Sequence, residues 1–194
     1  MLDRTFYQMP TLDVAKNLLG KIIVRRSPNN YYAAKIVETE AYIGGNDTAC
    51  HASKGLTPRT QLMFGEAGFA YIYFVYGMHY MLNVVTEKKG FPAAVLIRAI
   101  EPLENIEQMI INRGGQEKNI GNGPAKLCQA LEINKTLNGC DLTINQEIWL
   151  EESQSKTKLD IVAKPRIGID YAKDEDREAL WRFYLKSNPH VSKK

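Results

Sequence analysis

Hydrophobic and polar positions alternate along most of this chain, but the stretch K-I-V-E-T-E-A-Y-I-G-G, Lys35 to Gly45, breaks the usual pattern. On an extended backbone Glu38, Glu40 and Tyr42 fall on one face, while Val37, Thr39 and Ala41 take the other. An acidic face of this kind is either solvated or the floor of a site. Around it the pattern predicts further elements. Thr11 to Gly20 reads as a helix with Thr11 as its N-cap and a stripe of Leu12, Ala15, Leu18 and Leu19. Lys21 to Arg26 reads as a short strand, Pro28 to Asn30 as a turn, and Tyr31 to Tyr42 as a long strand.

Residues 43–60 are rich in Gly, Asn, Ser and Thr, and a loop of that length inside a folded chain is more often functional than decorative. Gly68 to Val85 predicts a hairpin turning at Gly77-Met78, with Tyr71, Tyr73 and Val75 on one face and Ile72, Phe74 and Tyr76 on the other. A strand follows at Ala93 to Ile100, broken by Glu101-Pro102. Helices are expected at Asn105 to Arg113 and at Pro124 to Leu131, the second with Pro124 at its first position. Short strands are expected at Glu147 to Leu150 and Asp160 to Ala163, and Asp174 to Leu185 starts with helical propensity and ends in aromatics. Successive strands with short turns favour an antiparallel sheet.

Composition narrows the class. The 194 residues suit one domain, and 44% hydrophobic content supports a packed core. No apolar run is long enough to cross a bilayer and the N-terminal MLDRTFYQMP has no signal-peptide core, so a soluble intracellular protein is expected. Cys50, Cys128 and Cys140 are an odd number without C-x-x-C spacing, which argues against a disulfide framework or structural zinc; no metal or other cofactor is expected. A net charge of +3 permits a nucleic-acid partner without demanding one. Ten tyrosines against two tryptophans suggest rings used at a surface as well as inside.

Several single residues carry chemistry. Tyr76, beside the Gly77 turn, is either a partly covered surface ring or a wedge for a stacked polymer. Arg98 sits mid-strand in an apolar run and needs either a carboxylate such as Glu38 or Glu40, or a phosphate. Asn83 either bonds a neighbouring backbone or faces a cavity. Walker, G-x-G-x-x-G and H-E-x-x-H motifs are absent, leaving carboxylates, tyrosines, one loop histidine and the cations Lys35, Lys54 and Arg59. A carboxylate amid rings and cations suits a reaction through an oxocarbenium-like state on a polyanion. A single-strand-binding sheet and a glycoside hydrolase using Glu38 with Glu40 are the rival readings, the latter handicapped because both carboxylates share one strand face.

V-E-T-E-A-Y (Val37 to Tyr42), His51, T-P-R (Thr57 to Arg59), Y-I-Y-F-V-Y-G-M (Tyr71 to Met78), Asn83, L-I-R-A-I-E-P (Leu96 to Pro102), N-G-P-A-K-L-C-Q-A-L (Asn122 to Leu131) and R-I-G-I (Arg166 to Ile169) occur in one order. In that order, over nearly the whole chain, the sequence resembles the 3-methyladenine DNA glycosylases of the alkyladenine, or methylpurine, type, in their compact bacterial form. The resemblance implies an α+β fold: one domain, residues 1–194, with a curved, mainly antiparallel sheet flanked by helices and a protruding hairpin. It implies a monomer in the bacterial cytoplasm that acts on double-stranded DNA containing damaged purines and needs no membrane. By position, Glu40 matches the general base, Tyr42, Tyr73 and His51 the walls around a flipped base, and Tyr76 the wedge. Asn83 matches the residue that meets the guanine amino group, and Arg98 a pocket arginine near the nucleotide backbone. Glu38 is expected as a structural ion-pair partner.

Overall fold

Strand β2 (Tyr31–Ile43) organises the molecule, because a 13-residue run buried on both faces must be covered from both sides. A computed structural model describes residues 1–75, 77–144, 146–154 and 158–194. Along one edge, the first half of β2 pairs with β1 (Ile22–Arg26) and the second half, at Glu38 to Glu40, with β8 (Arg182–Leu185). Along the other edge it pairs with β5 (Ala93–Glu104). Strands β3 (Ala70–Val75) and β4 (His79–Val85) extend the sheet beyond β5. Strand β6 (Ile148–Glu151) borders β1, and β7 (Ile161–Lys164) borders β8. All these pairings are antiparallel, giving the curled sheet expected of the α+β class.

Alternation along the strands sorts two faces. Ile72, Leu82, Val84, Val95 and Ile97 belong to the main core, which includes α2 (Thr11–Asn17) and α4 (Pro124–Ala130). Burying a side chain such as Ile97 or Leu127 contributes about 1.5–3 kcal/mol. The Thr39 hydroxyl donates to the Ala15 carbonyl at 2.8 Å, fixing α2 to β2. On the opposite face Tyr71, Val85 and Ala94 pack with Cys50, Ala52 and Met63, which come from the long loop after β2. Ala49, Ile169 and Ala172 pack there too, against Tyr42. Helices therefore cover one side and loops the other, and the space between loops and sheet is where a ligand can enter.

Three register shifts interrupt the β2–β5 ladder: one, where Leu103 is an extra residue in β5, lies at its far end, and the other two lie at the site. Ile36 pairs with Ile100 and Glu38 with Ala99, so Val37 is an extra residue in β2; Thr39 then pairs with Ile97, so Arg98 is an extra residue in β5. The two shifts cancel. Bulges of this kind re-aim side chains beside active sites, and both flank Glu38.

Local details differ from the sequence expectations in two places. Thr11 is the first helical residue, not the cap; Pro10 occupies the cap position, and the Thr11 hydroxyl bonds Thr86 and Glu87 instead. Strand β5 does not break at Glu101-Pro102 but runs to Glu104, because β4 pairs only with residues 94–96 and leaves the far edge at Pro102 open, where a missing N–H is harmless. The segment from Asp174 begins as the helix α5 (Asp174–Glu178), where its propensity puts one, and its aromatic end is the strand β8. Helix α3 (Ile106–Asn112) and the hairpin stand where the pattern puts them, and a short helix α1 (Arg4–Tyr7), without an expectation behind it, precedes α2. Phe74 and Met78 are exposed near the hairpin turn, with Phe74 stacked on Tyr80 at 4.9 Å. Tyr76, the expected wedge, lies outside the described residues.

Candidate active site

The acidic face of β2 is not solvated: Glu38 and Glu40 are both fully buried. Buried carboxylates need partners, and each has a different set. Glu40 Oε2 accepts the Tyr42 hydroxyl at 2.8 Å, and Oε1 accepts the backbone N–H of Ile167 at 2.8 Å and lies 3.2 Å from Arg98 Nη1. Tyr42, Ile167 and Arg98 all line a cavity of about 320 Å³. The carboxylate thus sits one hydrogen bond behind the cavity floor. Burial pushes Glu40 above the usual carboxylate range, while Arg98, the Ile167 N–H and the Tyr42 hydroxyl pull the other way by stabilising the anion.

Glu38 is held from the far side. Its Oε1 accepts Arg182 Nη1 at 2.9 Å and its Oε2 the Ser192 N–H at 2.7 Å. Arg98 Nε lies 3.5 Å from Glu38 Oε1, so one guanidinium stands between two carboxylates. Arg98 lines the cavity but is only 8% exposed. Of the cations named from sequence, Lys35 is engaged with Glu101 at 2.6 Å and lines a different hollow, whereas Arg59 and Lys54 stand beside the cavity mouth with His51.

Aromatic rings make the walls. Tyr71 and Tyr73 project from the same face of β3, as alternation requires, with centroids 5.6 Å apart. His51 comes from a short 3₁₀ turn (His51–Lys54) and meets Tyr73 edge-on at 4.5 Å. Its Nδ1 lies 2.9 Å from the Tyr71 hydroxyl, and Arg59 Nη2 approaches Nε2 at 3.5 Å. A guanidinium only donates, so Nε2 is the acceptor and the proton sits on Nδ1. Burial, reinforced by Arg59 and Lys54, depresses His51 to about 4, which keeps the ring neutral. Asn83 donates from Nδ2 to the carbonyls of Tyr71 (3.1 Å) and Met81 (3.5 Å) while lining the cavity, so both of its sequence alternatives hold at once.

Glu40, Tyr42, His51, Tyr73, Asn83 and Arg98 are therefore brought together around one hollow or directly behind it. Arg166 and Asp47 had no place in the residue-level reading. Arg166 donates to Asp47 through two nitrogens at 2.6 and 2.9 Å, and its guanidinium lies 4.8 Å from the Tyr42 ring and 4.9 Å from that of Trp181. This pair, 119 residues apart, holds the segment whose Ile167 N–H grips Glu40. Its only signal was the R-I-G-I block. Tyr171, 70% exposed with its hydroxyl on the Ala49 carbonyl at 3.0 Å, also lines the opening and was missed.

A domain of helices packed on an antiparallel sheet, with a buried carboxylate behind an aromatic hollow, has the makeup of an enzyme that could take a planar ring beside an acid–base group. A family model described as methylpurine-DNA glycosylase matches residues 5–189, and the chain belongs to that family. It is accordingly a DNA-repair enzyme, a hydrolase of N-glycosyl bonds with DNA as its substrate. Among relatives provisionally named 3-methyladenine DNA glycosylase, that of Methanocella arvoryzae is 54% identical, covering 100% of this chain and 96% of its own. One from Legionella pneumophila is 48% identical (99% and 98% covered), and one from Alkaliphilus oremlandii 46% identical (100% and 99%). No helix among the described residues is long and apolar enough to cross a membrane.

Proposed function

We propose that this glycosylase takes a damaged purine out of the duplex into the aromatic cavity and hydrolyses its N-glycosidic bond with a water activated by Glu40. The supporting observation is the placement of the Glu40 carboxylate, gripped by three donors that themselves line the hollow. Its volume, near the lower limit of ordinary ligand sites, suits one base better than a length of strand. Flipping costs a few kcal/mol of stacking and pairing, less for a lesion that already pairs badly. Stacking on Tyr42 and Tyr73 returns about 1–3 kcal/mol per ring. Tyr76 fills the vacated stack, as apolar wedges do.

The water oxygen attacks C1′ while its proton passes to Glu40; the C1′–N bond breaks and its electron pair leaves with the purine. In 3-methyladenine or 7-methylguanine that pair neutralises a ring already cationic, so no acid is needed. Cationic bases also stack well on electron-rich rings. Arg166 and Arg59, which lie over Tyr42 and Tyr73 without lining the cavity, blunt that preference, and hypoxanthine and ethenoadenine belong to the substrate class as well. Being neutral, hypoxanthine takes a proton on a ring nitrogen, from a donor or from solvent, as it leaves. Asn83 meets the exocyclic amino group of guanine, and Arg98 stands near the flipped nucleotide. Among the described residues no lysine lines the cavity, in keeping with a monofunctional enzyme that leaves an intact abasic strand; we take the enzyme to work as a monomer.

Single-turnover release of hypoxanthine from a duplex tests the assignment. Glu40→Gln keeps the shape and loses the base; excision drops by about 10²–10⁴-fold while lesion binding survives, and wild-type product strands stay uncut until treated with alkali. Near-normal excision by Glu40→Gln removes that residue from the role.

A further inference from the structure

Two carboxylates two residues apart on one strand face oppose each other's ionisation unless a cation stands between them. Here Arg98 does so, with Nη1 at 3.2 Å from Glu40 and Nε at 3.5 Å from Glu38. Its Nε has no hydrogen bond, so its hold on Glu38 is the looser one. Glu38 is satisfied mainly from behind, by Arg182 on β8 at 2.9 Å and by the Ser192 N–H at 2.7 Å. Arg182 is itself braced by the carbonyls of Pro165 (2.9 Å) and Lys193 (2.7 Å). A purely structural cluster of four buried charges is poor value for stability, since apolar residues of similar volume do as well or better. Its position suggests another use: how much of Arg98 is left for Glu40 depends on how well Glu38 is satisfied by its other partners.

We propose that Glu38 is a positioning residue for the reaction: with Arg182 and the Ser192 amide it sets how tightly Arg98 holds Glu40, and hence how strong a base Glu40 is. This rests on Glu40 being the base. The other groups facing Glu40 are Tyr42 on β2, Tyr73 on β3, and Arg166 with the Ile167 N–H from the 165–171 segment. Those facing Glu38 are Arg98, Arg182 and Glu40. Two of these settings can be altered without touching the cavity. Glu38→Gln removes a negative charge, so Arg98 turns wholly to Glu40 and the carboxylate becomes a weaker base. Ser192→Pro removes the amide donor, together with a hydroxyl that has no partner among the described residues, so Glu38 draws Arg98 away and Glu40 becomes a stronger base.

The experiment is the pH profile of single-turnover hypoxanthine excision, with duplex affinity and melting temperature measured on the same preparations. Glu38→Gln moves the acid limb to lower pH and reduces the plateau about 3- to 10-fold at unchanged affinity. Ser192→Pro moves the limb to higher pH. Opposite displacements are the signature, because a merely structural role lowers the melting temperature and leaves both limbs in place. A folded Glu38→Gln enzyme whose limb and plateau match the parent overturns the proposal. If that variant does not fold, a Ser192→Pro profile that coincides with the parent does the same. Glu40→Gln run alongside separates the two levels. If it stays active, the assignment of the base is wrong; if it is inactive while the other two profiles stay unmoved, only the role of Glu38 fails.

Discussion

Burial moves Glu40 and His51 in opposite senses, raising the carboxylate and depressing the imidazole to about 4, because each is pushed toward its neutral form. On the proposed mechanism, excision is expected to show an acid limb set by Glu40, with the neutral His51 setting none in the range where the duplex is assayed. His51→Gln is expected to slow hypoxanthine excision about tenfold through the lost ring contact with Tyr73, while its acid limb overlays the parent's. Stability carries the complementary signature. The folded-state value of His51 lies below its ordinary 6.5, so its contribution is complete above that pH and is lost on acidification toward 4. The parent should accordingly lose more melting temperature than His51→Gln between pH 7 and pH 4.5. Glu40 and Tyr42 were legible at this scale because a period of two needs no tertiary information. The Arg166–Asp47 pair was not, since no local pattern ties residues 119 positions apart and each is unremarkable in its own loop.

At the scale of elements, the cavity depends on how closely the segment before α4 approaches β5. Gly121 accepts the Ile100 N–H through its carbonyl, and a Cβ there would lie 2.4 Å from Ile100 Cγ1 and 3.0 Å from the Ile100 carbonyl oxygen. Only glycine permits that approach. Gly121→Ala is expected to destabilise the fold by about 1–3 kcal/mol, read as a lowered denaturant midpoint, and to displace Pro124 from the cavity wall. The elements themselves were largely readable from periodicity, with boundaries within a few residues. The errors lie where tertiary surroundings override a local rule. Pro102 reads as a breaker until β4 is seen to end short of it, and Thr11 reads as a cap until Thr86 and Glu87 are seen to claim its hydroxyl.

At the scale of the molecule, the site draws on β2, the loop after it, β3, β4, β5, the 165–171 segment and, behind Glu38, β8 with Ser192. A site assembled from both ends of the chain should appear and disappear as one. Trp149 reports on β6, and Trp181 stacks on Arg166 beside the cavity. Trp149→Phe and Trp181→Phe each leave a single tryptophan, whose emission is read apart from that of the ten tyrosines by selective excitation. After correction for each variant's own stability by circular dichroism, the two fluorescence transitions should coincide in urea. The antiparallel class and the hairpin were readable at this scale from strands in close succession. The double attachment of β2, first to β1 and then to β8, was not, because a pairing between residues 38–40 and 182–184 leaves no mark in either segment alone. The compensated shifts at Val37 and Arg98 have a hereditary consequence. A one-residue insertion in either strand alone would turn its downstream side chains inside out. Over the stretch that carries Glu38 and Glu40, natural variation in the length of β2 and β5 must then arrive in matched pairs, whereas an unmatched extra residue is accommodated at the far end, as at Leu103.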